Sequence, residues 1–347
     1  SQGKPRRAGG GPYRITDIDQ VLERAETIKD EGKGRRSMKL ATRINSYFRD
    51  GDKNLDRVFA EFQSVGLTHV DLNYPEHCTG VTAEDMAAKL AAHDLQLNGC
   101  ALRFRNAFLN GDLGNADDAL AAEALELCYE ACDYCRTAGG NTVTIWLGHD
   151  GFDYSFQIAY ARVFDQLVAA FQKVCDYAPD LKISIEYKPY EERAYAFIDS
   201  MGMTGMILNA ADRPNLGVTL DYCHMLMKHE NPAMAADLFG REGKLFGIHL
   251  NDGTGRFADG LMIGTPVKTL EFLYYVKKHG YDSAIYFDTF PVIEPAAGEA
   301  AQNDQMIHLL NDAIEAVSME KIQSVIDAND AIKAAELVRE LFCAMGR

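Results

Sequence analysis

Eight short apolar segments alternate with eight longer amphipathic segments along most of this 347-residue chain. The apolar segments have the length and the β-branched and aromatic content of buried strands. They are residues 39–44, 68–73, 95–102, 142–147, 182–187, 216–221, 245–250 and 284–288. The predicted helices between and after them are residues 54–65, 82–93, 115–138, 154–177, 191–201, 231–240, 267–279 and 300–317. Strict alternation of strands and helices indicates parallel βαβ units, and eight such units predict an α/β fold, a (β/α)8 TIM barrel.

The competing fold with the same alternation is the doubly wound nucleotide-binding sheet. That fold requires a G-x-G-x-x-G turn after an early strand, and none is present there. The phosphate-binding pattern G-x4-G-K-[ST] is also absent. We therefore expect a flexible N-terminus over residues 1–12, a helical extension over 13–38, the barrel over 39–322 and a C-terminal helix over 323–347.

The charge of the chain restricts its partners. With 51 Asp and Glu against 35 Lys and Arg, the formal net charge is −16. A nucleic-acid-binding protein needs a basic face, so we expect no nucleic-acid partner. No apolar run reaches the roughly 20 residues that span a bilayer, so we expect no membrane partner and a cytoplasmic protein.

Three cysteines have a spacing that is typical of radical iron–sulfur proteins. Cys128, Cys132 and Cys135 form the pattern C-x3-C-x2-C. Spacings of four and three also place residues on one face of a helix, and the surrounding segment is strongly amphipathic. We interpret these cysteines as core residues of a helix rather than as cluster ligands.

Four residues with metal-binding side chains stand at the ends of four consecutive predicted strands. They are Glu186, Asp221, His249 and Asp288. In (β/α)8 barrels the carboxyl ends of the strands meet at the face that carries the active site. Three carboxylates and one imidazole in a buried cavity would repel or change protonation unless a cation lies among them. An oxygen-rich set with one nitrogen suits Mn²⁺, Mg²⁺ or Co²⁺, so the sequence predicts a divalent metal site.

Two further residues lie next to these strand ends. Lys188 follows Glu186 by two residues, so it lies on the same face if the strand continues, where an ammonium group would hold a substrate oxygen. The alternative for Lys188 is a surface lysine packed on Tyr190. His224 follows Asp221 by three residues and would orient substrate, hold a second ion or be a plain loop histidine.

The chain resembles the xylose isomerase-like superfamily of sugar isomerases and epimerases over residues 39–295, most closely its L-rhamnose isomerase branch. The resemblance rests on TIWLGHDGFDY (144–154), SIEYKPYE (184–191), TLDYCHML (219–226) and HLNDGTGRFADGLMIGT (249–265).

The resemblance implies a role for each matching residue. Glu186, Asp221, His249 and Asp288 match the four ligands of the structural metal. Lys188 matches a lysine beside the reacting sugar oxygens, and His224 a histidine at the second metal. Trp146 matches an aromatic wall over the substrate, and Arg256 an arginine that contacts it.

One feature departs from the two-metal relatives. They carry two aspartates spaced by one residue after the strand-7 ligand, whereas here Asp259 stands alone. Asp252 is the candidate replacement, so a possible second site would consist of His224, Asp252 and Asp259.

The resemblance implies a small-molecule sugar substrate, a cytoplasmic homo-oligomer (dimer or tetramer), and catalysis by Glu186, Lys188, His224 and Asp288. We expect an aldose–ketose isomerase that binds O1 and O2 of the sugar at the metal and reacts by a hydride shift or through an enediolate. The alternative is a one-metal ketose C3-epimerase or a related proton-transfer enzyme on a keto sugar, such as a 3-keto-glycoside lyase. Two rivals are a non-catalytic binding barrel and a DNA-repair endonuclease with this barrel, which would need more histidines and a basic groove.

The loops after the first three strands are expected to shape the substrate pocket. Their candidate residues are Arg43, Asn73, Glu76, His77, Arg103 and Arg105. For Arg103 and Arg105 a phosphate is one possible partner, and we expect instead that both pair with the many acidic side chains.

Overall fold

The protein is seen in a computed structural model that describes residues 38–48, 52–254 and 259–346. The predicted flexible segment 1–12, the predicted helical extension apart from Met38, and Arg256 lie outside the described residues.

The eight predicted strands are all present, each within two residues of its predicted bounds. They are β1 Leu40–Thr42, β2 His69–Tyr74, β3 Gln96–Arg103, β4 Thr142–Trp146, β5 Lys182–Glu186, β6 Leu216–Asp221, β7 Leu245–Leu250 and β8 Ile285–Phe287. Every pair in the order β1-β8-β7-β6-β5-β4-β3-β2 is parallel. The amide of Thr68 donates to the carbonyl of Leu40 at 3.1 Å, which joins the two ends of the sheet. The predicted (β/α)8 barrel is confirmed.

Eleven α-helices surround or follow these strands within the described residues. They are α1 Leu55–Ser64, α2 Ala83–Ala92, α3 Asp118–Thr137, α4 Tyr160–Tyr177, α5 Met201–Ala211, α6 Tyr222–Met227, α7 Pro232–Arg241, α8 Pro266–Lys278, α9 Ala296–Val317, α10 Met319–Asp327 and α11 Ala331–Met345. Cys128, Cys132 and Cys135 are buried on one face of α3, which confirms the core interpretation. Among the described residues, no helix combines the length and apolar character needed to cross a bilayer.

The prediction of a helix over residues 191–201 is wrong. This segment contains a two-residue strand, Tyr195–Ala196, which pairs antiparallel with Gly151–Phe152. Its backbone is held by Asp153, whose carboxylate accepts from the amide of Ala194 at 2.8 Å and pairs with Arg193 at 2.9 Å. Local composition favours a helix here, but contacts to a segment some 40 residues earlier decide the conformation.

The helix that completes this βα unit begins later, at α5. The side chain of Ser200 accepts from the amide of Met203 at 3.2 Å, and a serine in that position is a strong helix start. The helix predicted to begin at residue 154 also begins later than expected, at Tyr160.

Two further differences concern short helices. The short helix α6 was not predicted. It begins directly after β6, and Asp221, the last residue of that strand, caps it by accepting from the amide of His224 at 3.0 Å. The C-terminal region contains α10 and α11 where one helix was expected. They are separated at Asn329, which has a positive φ of 48°, and Asp330 caps α11.

A buried polar cluster lies inside the barrel. The hydroxyl of Thr219 lies 3.0 Å from that of Thr144 and 2.6 Å from that of Ser184. A Cβ at Gly247 would lie 2.3 Å from the same hydroxyl oxygen. The barrel interior is therefore closely packed, and β4, β5 and β6 are tied together.

Candidate metal centre at the barrel mouth

The strand register brings the four predicted ligands together. Asp221 and His249 are direct neighbours across β6 and β7, and Glu186 is the last residue of β5. Asp288 follows β8 directly. One ligand atom from each of the four side chains lies within 4.8 Å of all the others, and all four residues are buried.

Two buried donor atoms of this cluster, Nδ1 of His249 and Oδ1 of Asp288, make no hydrogen bond with the described residues. Nδ1 of His249 lies 3.2 Å from Oε1 of Glu186, yet the pair lacks hydrogen-bond geometry. Oδ1 of Asp288 is buried and has no hydrogen-bond partner. Buried polar atoms are rarely left without a partner. Lone pairs that converge on one point, with no hydrogen atom between them, form a suitable site for a divalent cation.

The ionisation of the cluster follows from mutual contact. Burial raises the pKa of Asp221 to about 7. Burial would also raise the pKa of Glu186, but the facing His249 outweighs it and the pKa falls to about 2. Burial would lower the pKa of His249, but Glu186 raises it to about 10. Positive charge on His249 therefore keeps Glu186 ionised, whereas Asp221 is only partly ionised near neutral pH.

Asn251 holds the ligands in place from behind. Its side-chain nitrogen lies 3.2 Å from Oδ2 of Asp221 and donates to the carbonyl of Asp288 at 3.1 Å. Its side-chain oxygen accepts from the amide of Cys223 at 2.8 Å. One buried amide therefore links β6, β7 and the residue after β8. Such outer contacts orient metal ligands.

A second group of possible ligands shares one residue with the first. Donor atoms of Asp221, His224 and Asp259 lie within 4.8 Å of one another. The ring Nδ1 of His224 lies 3.0 Å from the carbonyl of Tyr187 and donates to it, so a neutral ring would present Nε2 as an acceptor. Burial lowers the pKa of His224, but Asp221 and Asp259 raise it to about 9, so the ring is protonated unless a cation offsets these carboxylates. That Nε2 lies 3.6 Å from Oδ2 of Asp259 and 3.9 Å from Oδ2 of Asp221. These separations exceed hydrogen-bond lengths.

The structure does not bring Asp252 into this group. Its carboxylate accepts from the amides of Gly253 and Gly264, at 2.8 and 2.9 Å. Its backbone pairs with Leu261. Asp252 thus closes the loop that returns the chain to Asp259.

Lys188 lies between the second group and the outer loop. Its ammonium nitrogen is 2.8 Å from Oδ2 of Asp259 and 2.8 Å from Oε2 of Glu191. Burial lowers the pKa of Lys188, but these two carboxylates outweigh it and keep the group protonated. It is therefore a fixed positive charge beside the cluster and not a surface lysine.

One cavity opens onto both groups. Its lining residues are Ala101, Arg103, Trp146, Glu186, Lys188, His224, Asp259, Asp288 and Phe290. Trp146 forms one wall, with the Lys188 nitrogen 6.0 Å and the Arg103 guanidinium carbon 5.9 Å from the centre of its ring. The cavity thus combines carboxylates, fixed cations and an aromatic face.

Two residues of this site, Asn251 and Phe290, had no assigned role in the sequence, and Arg103 was expected only to shape the pocket and to pair with acidic side chains. Asn251 is two residues after His249, and the period of two along a strand points both the same way, so this signal was available. Arg103 ends β3 in register with Trp146, which is in register with Glu186. Phe290 comes from a loop, and no pattern in the sequence indicated it.

The expectation that both arginines pair with acids holds for one of them. Arg105 lies 3.4 Å from Glu76. Arg103 makes no ion pair within 4 Å with any described carboxylate. The remaining loop residues form a polar network, in which Asn45 contacts both Asn73, at 3.1 Å, and His77, at 2.6 Å.

A metal-ligand cluster at the carboxyl-end mouth of a (β/α)8 barrel defines the class of this protein. The family model described as xylose isomerase-like TIM barrel matches residues 59–310. This chain belongs to that family.

Solved structures with the same fold include two sugar epimerases and one zinc-bound protein. A structure of L-ribulose 3-epimerase superposes with a TM-score of 0.67 at 17% identity, covering 81% of this chain and 98% of that one. The 3-keto-D-glucoside 4-epimerase from E. coli gives 0.63 at 12% identity, covering 78% and 100%. The IolI protein with a bound zinc atom gives 0.62 at 17% identity, covering 79% and 98%. At these identities the likeness is one of fold.

Proposed function

We propose that this protein is a divalent-metal-dependent enzyme that interconverts an aldose and a ketose. The observation that carries the proposal is the pair of adjoining ligand groups that share Asp221. Two neighbouring oxygens of an open-chain sugar, O1 and O2, need two neighbouring positions of positive charge. The two groups, with Lys188 beside them, offer such positions along one side of the cavity.

The donor set determines the chemistry that a cation would supply. Glu186, Asp221, His249 and Asp288 would hold a hard or borderline ion such as Mn²⁺, Mg²⁺ or Co²⁺, and Zn²⁺ fits the single imidazole as well. Such an ion, when bound, polarises a carbonyl group and stabilises negative charge on its oxygen.

The surrounding side chains would position the sugar. The ammonium group of Lys188 would donate a hydrogen bond to the reacting oxygen while Asp259 and Glu191 keep it fixed. Nε2 of His224 would accept a hydroxyl proton at the adjacent carbon. The Trp146 ring would cover the carbon chain and exclude water from the reacting bond. Glu186 and Asp288 also line the cavity and would be the carboxylates nearest the reacting carbons.

A second candidate is epimerisation by proton transfer at a single metal. The observation that favours it is the contact between Lys188 and Asp259 at 2.8 Å, because an aspartate already neutralised by a lysine has less need of a second ion. In that reaction Glu186 and Asp288 would act as base and acid on opposite faces of one carbon. The epimerases among the structural neighbours support this candidate.

Incubation of aldoses and ketoses with the Mn²⁺-loaded protein in deuterated water tests both. We expect aldose–ketose conversion, with loss of activity on chelation and recovery on adding Mn²⁺. Substantial solvent deuterium in the product indicates proton transfer, and its absence a hydride shift. A product with the carbonyl unmoved and one carbon inverted would replace the first candidate by the second. Full activity after chelation would contradict both.

The Asp259→Asn variant separates one metal from two. For the isomerase we expect the ion content to fall from two to one per chain, with most of the activity lost. The matched control is Asp252→Asn, whose carboxylate closes the loop and faces neither group. A wild-type protein that binds a single ion at saturating Mn²⁺ would favour the epimerase.

A further inference from the structure

Two arginines at the barrel mouth have no carboxylate partner among the described residues, although this acidic chain offers such partners in excess. Arg43 follows β1 and Arg103 ends β3. Neither forms an ion pair within 4 Å with any described residue, although the chain holds 51 acidic residues. Other mouth cations, Lys188 and Arg105, each pair with an acid. A partly buried guanidinium normally finds such a partner, because desolvating its charge is costly.

The two guanidinium groups are connected through Phe290, which Arg43 contacts directly and which lines one cavity together with Arg103. Arg103 lines the cavity, as does Phe290. The guanidinium carbon of Arg43 lies 3.9 Å from the centre of the Phe290 ring. Nη1 of Arg43 is buried and has no hydrogen-bond partner.

Both charges also act on one histidine. Burial, opposed by Glu76 and reinforced by Arg103 and Arg43, lowers the pKa of His77 to about 4. His77 is therefore neutral. It adds no competing charge, and its two ring nitrogens are already used by the Asn73 amide at 2.9 Å and by Asn45 at 2.6 Å.

We propose that Arg103 and Arg43 bind an anionic substituent of the sugar, a phosphate ester or a carboxylate, at the end away from the metal cluster. This proposal rests on the proposed function and names the substrate class of that site. Guanidinium groups present their donors in a planar fork that matches both anions. With the reacting oxygens on the β5–β8 side, the chain of the sugar would cross Trp146 and place its far substituent between the two arginines.

The structure also offers another role for Arg103. Burial lowers its pKa, but Asp288 and Glu186 raise it, so its charge could serve only to offset the metal-binding carboxylates. Arg43 has a similar neighbour in Glu299, whose pKa burial raises and Arg43 lowers. The experiment must separate substrate binding from charge compensation.

Calorimetric binding of three matched probes to the Mn²⁺-loaded protein makes the distinction. The probes are fructose, fructose 6-phosphate and fructuronate, which differ only in the group at carbon 6. We expect one of the two anions to bind at least about tenfold more tightly than fructose, as charge-assisted hydrogen bonds allow. The anion that binds more tightly identifies the substituent.

Variants then assign this preference to residues. In Arg103→Gln and in Arg43→Gln we expect the preference for the anion to disappear, while fructose binding and ion content stay as in the wild type. The matched control is Arg105→Gln, a nearby arginine already paired with Glu76, in which the preference should persist. If one variant fails to fold, the other provides the same test.

Three results would overturn the proposal. They are equal binding of all three probes by the wild type, a preference that survives in both variants, and loss of the ion in Arg103→Gln. Because the readout is binding, it is independent of turnover. An anion preference without conversion of any sugar would contradict the proposed function while leaving the anion site standing.

Discussion

The two sides of the barrel mouth differ in charge and in how fully the sequence predicts the contacts of their residues. The side formed by β5 to β8 carries four carboxylates, two histidines and one lysine in mutual contact. The side formed by β1 to β3 carries two arginines that pair with no carboxylate in the described part of the chain, and a network of amides around a neutral histidine. We interpret the first side as the place where a cation and the reacting oxygens bind, and the second as the place that selects the rest of the substrate.

The largest expected effect is loss of the cation from the acidic side. In Asp221→Asn we expect ion affinity to fall more than roughly 100-fold, because removing one partner of a buried charged group costs about 3–5 kcal/mol. The asparagine keeps the side-chain oxygen that caps α6, so the fold is retained. The measurement is ion content after dialysis against a weak chelator.

The matched control for that variant is Asp71→Asn, the same change in a barrel strand outside the cluster. It should retain the ion. An Asp221→Asn protein with wild-type ion content would show that the acidic side is not a metal site.

Asp71 is a buried carboxylate outside the metal-ligand cluster, and its pKa can be compared with those of the cluster. It lies on β2, and Asn98 is its hydrogen-bond partner, at 2.9 Å. Burial raises its pKa from 3.8 to about 6, although Asn98 lowers it. The folded state therefore binds more protons than the unfolded state between about pH 4 and pH 6, so the contribution of this group to stability falls as pH rises across that window.

The matched measurement is the free energy of unfolding of the wild type and of Asp71→Asn at about pH 4 and about pH 7. The wild type should lose roughly 2–3 kcal/mol relative to the variant between the two. An unchanged difference would mean that Asp71 ionises as freely in the folded protein as in the unfolded chain.

A smaller loss of ion affinity is expected from a change at Asn251, which holds two of the ligands in place. In Asn251→Ala, ion affinity should fall about 10- to 100-fold, the usual cost of losing a residue that orients a metal ligand. All four ligands remain, so some binding persists at high Mn²⁺, and titration with the ion measures it. A complete loss would mean that Asn251 is needed for folding of the mouth, which thermal unfolding of the metal-free protein would reveal.

The smallest effect is expected at Arg105, the arginine on the β1–β3 side that pairs with Glu76. Arg105→Gln removes an exposed ion pair with Glu76, and such pairs contribute about 0–1 kcal/mol. Thermal unfolding should therefore be nearly unchanged. A large loss of stability would show that the amide network around Asn45 depends on this pair.

The sequence alone determined the barrel and the acidic side, because both follow from local patterns. Apolar runs at regular intervals specify parallel strands, and a polar residue at a strand end reaches the mouth whatever its neighbours are. For this reason the sequence alone predicts a metal site formed by Glu186, Asp221, His249 and Asp288.

Only the tertiary structure decided the helix boundaries around residues 191–201, the place of Asp252 and the unpaired state of Arg103. Each depends on which group, separated in sequence, the folded chain brings within a few ångströms. For the helix boundary this group is Asp153, for Asp252 it is the amide of Gly264, and for Arg103 no described carboxylate comes that close. Hydrogen bonds and ion pairs act over such short distances that the sequence, which records order along the chain and not proximity in space, does not reveal them.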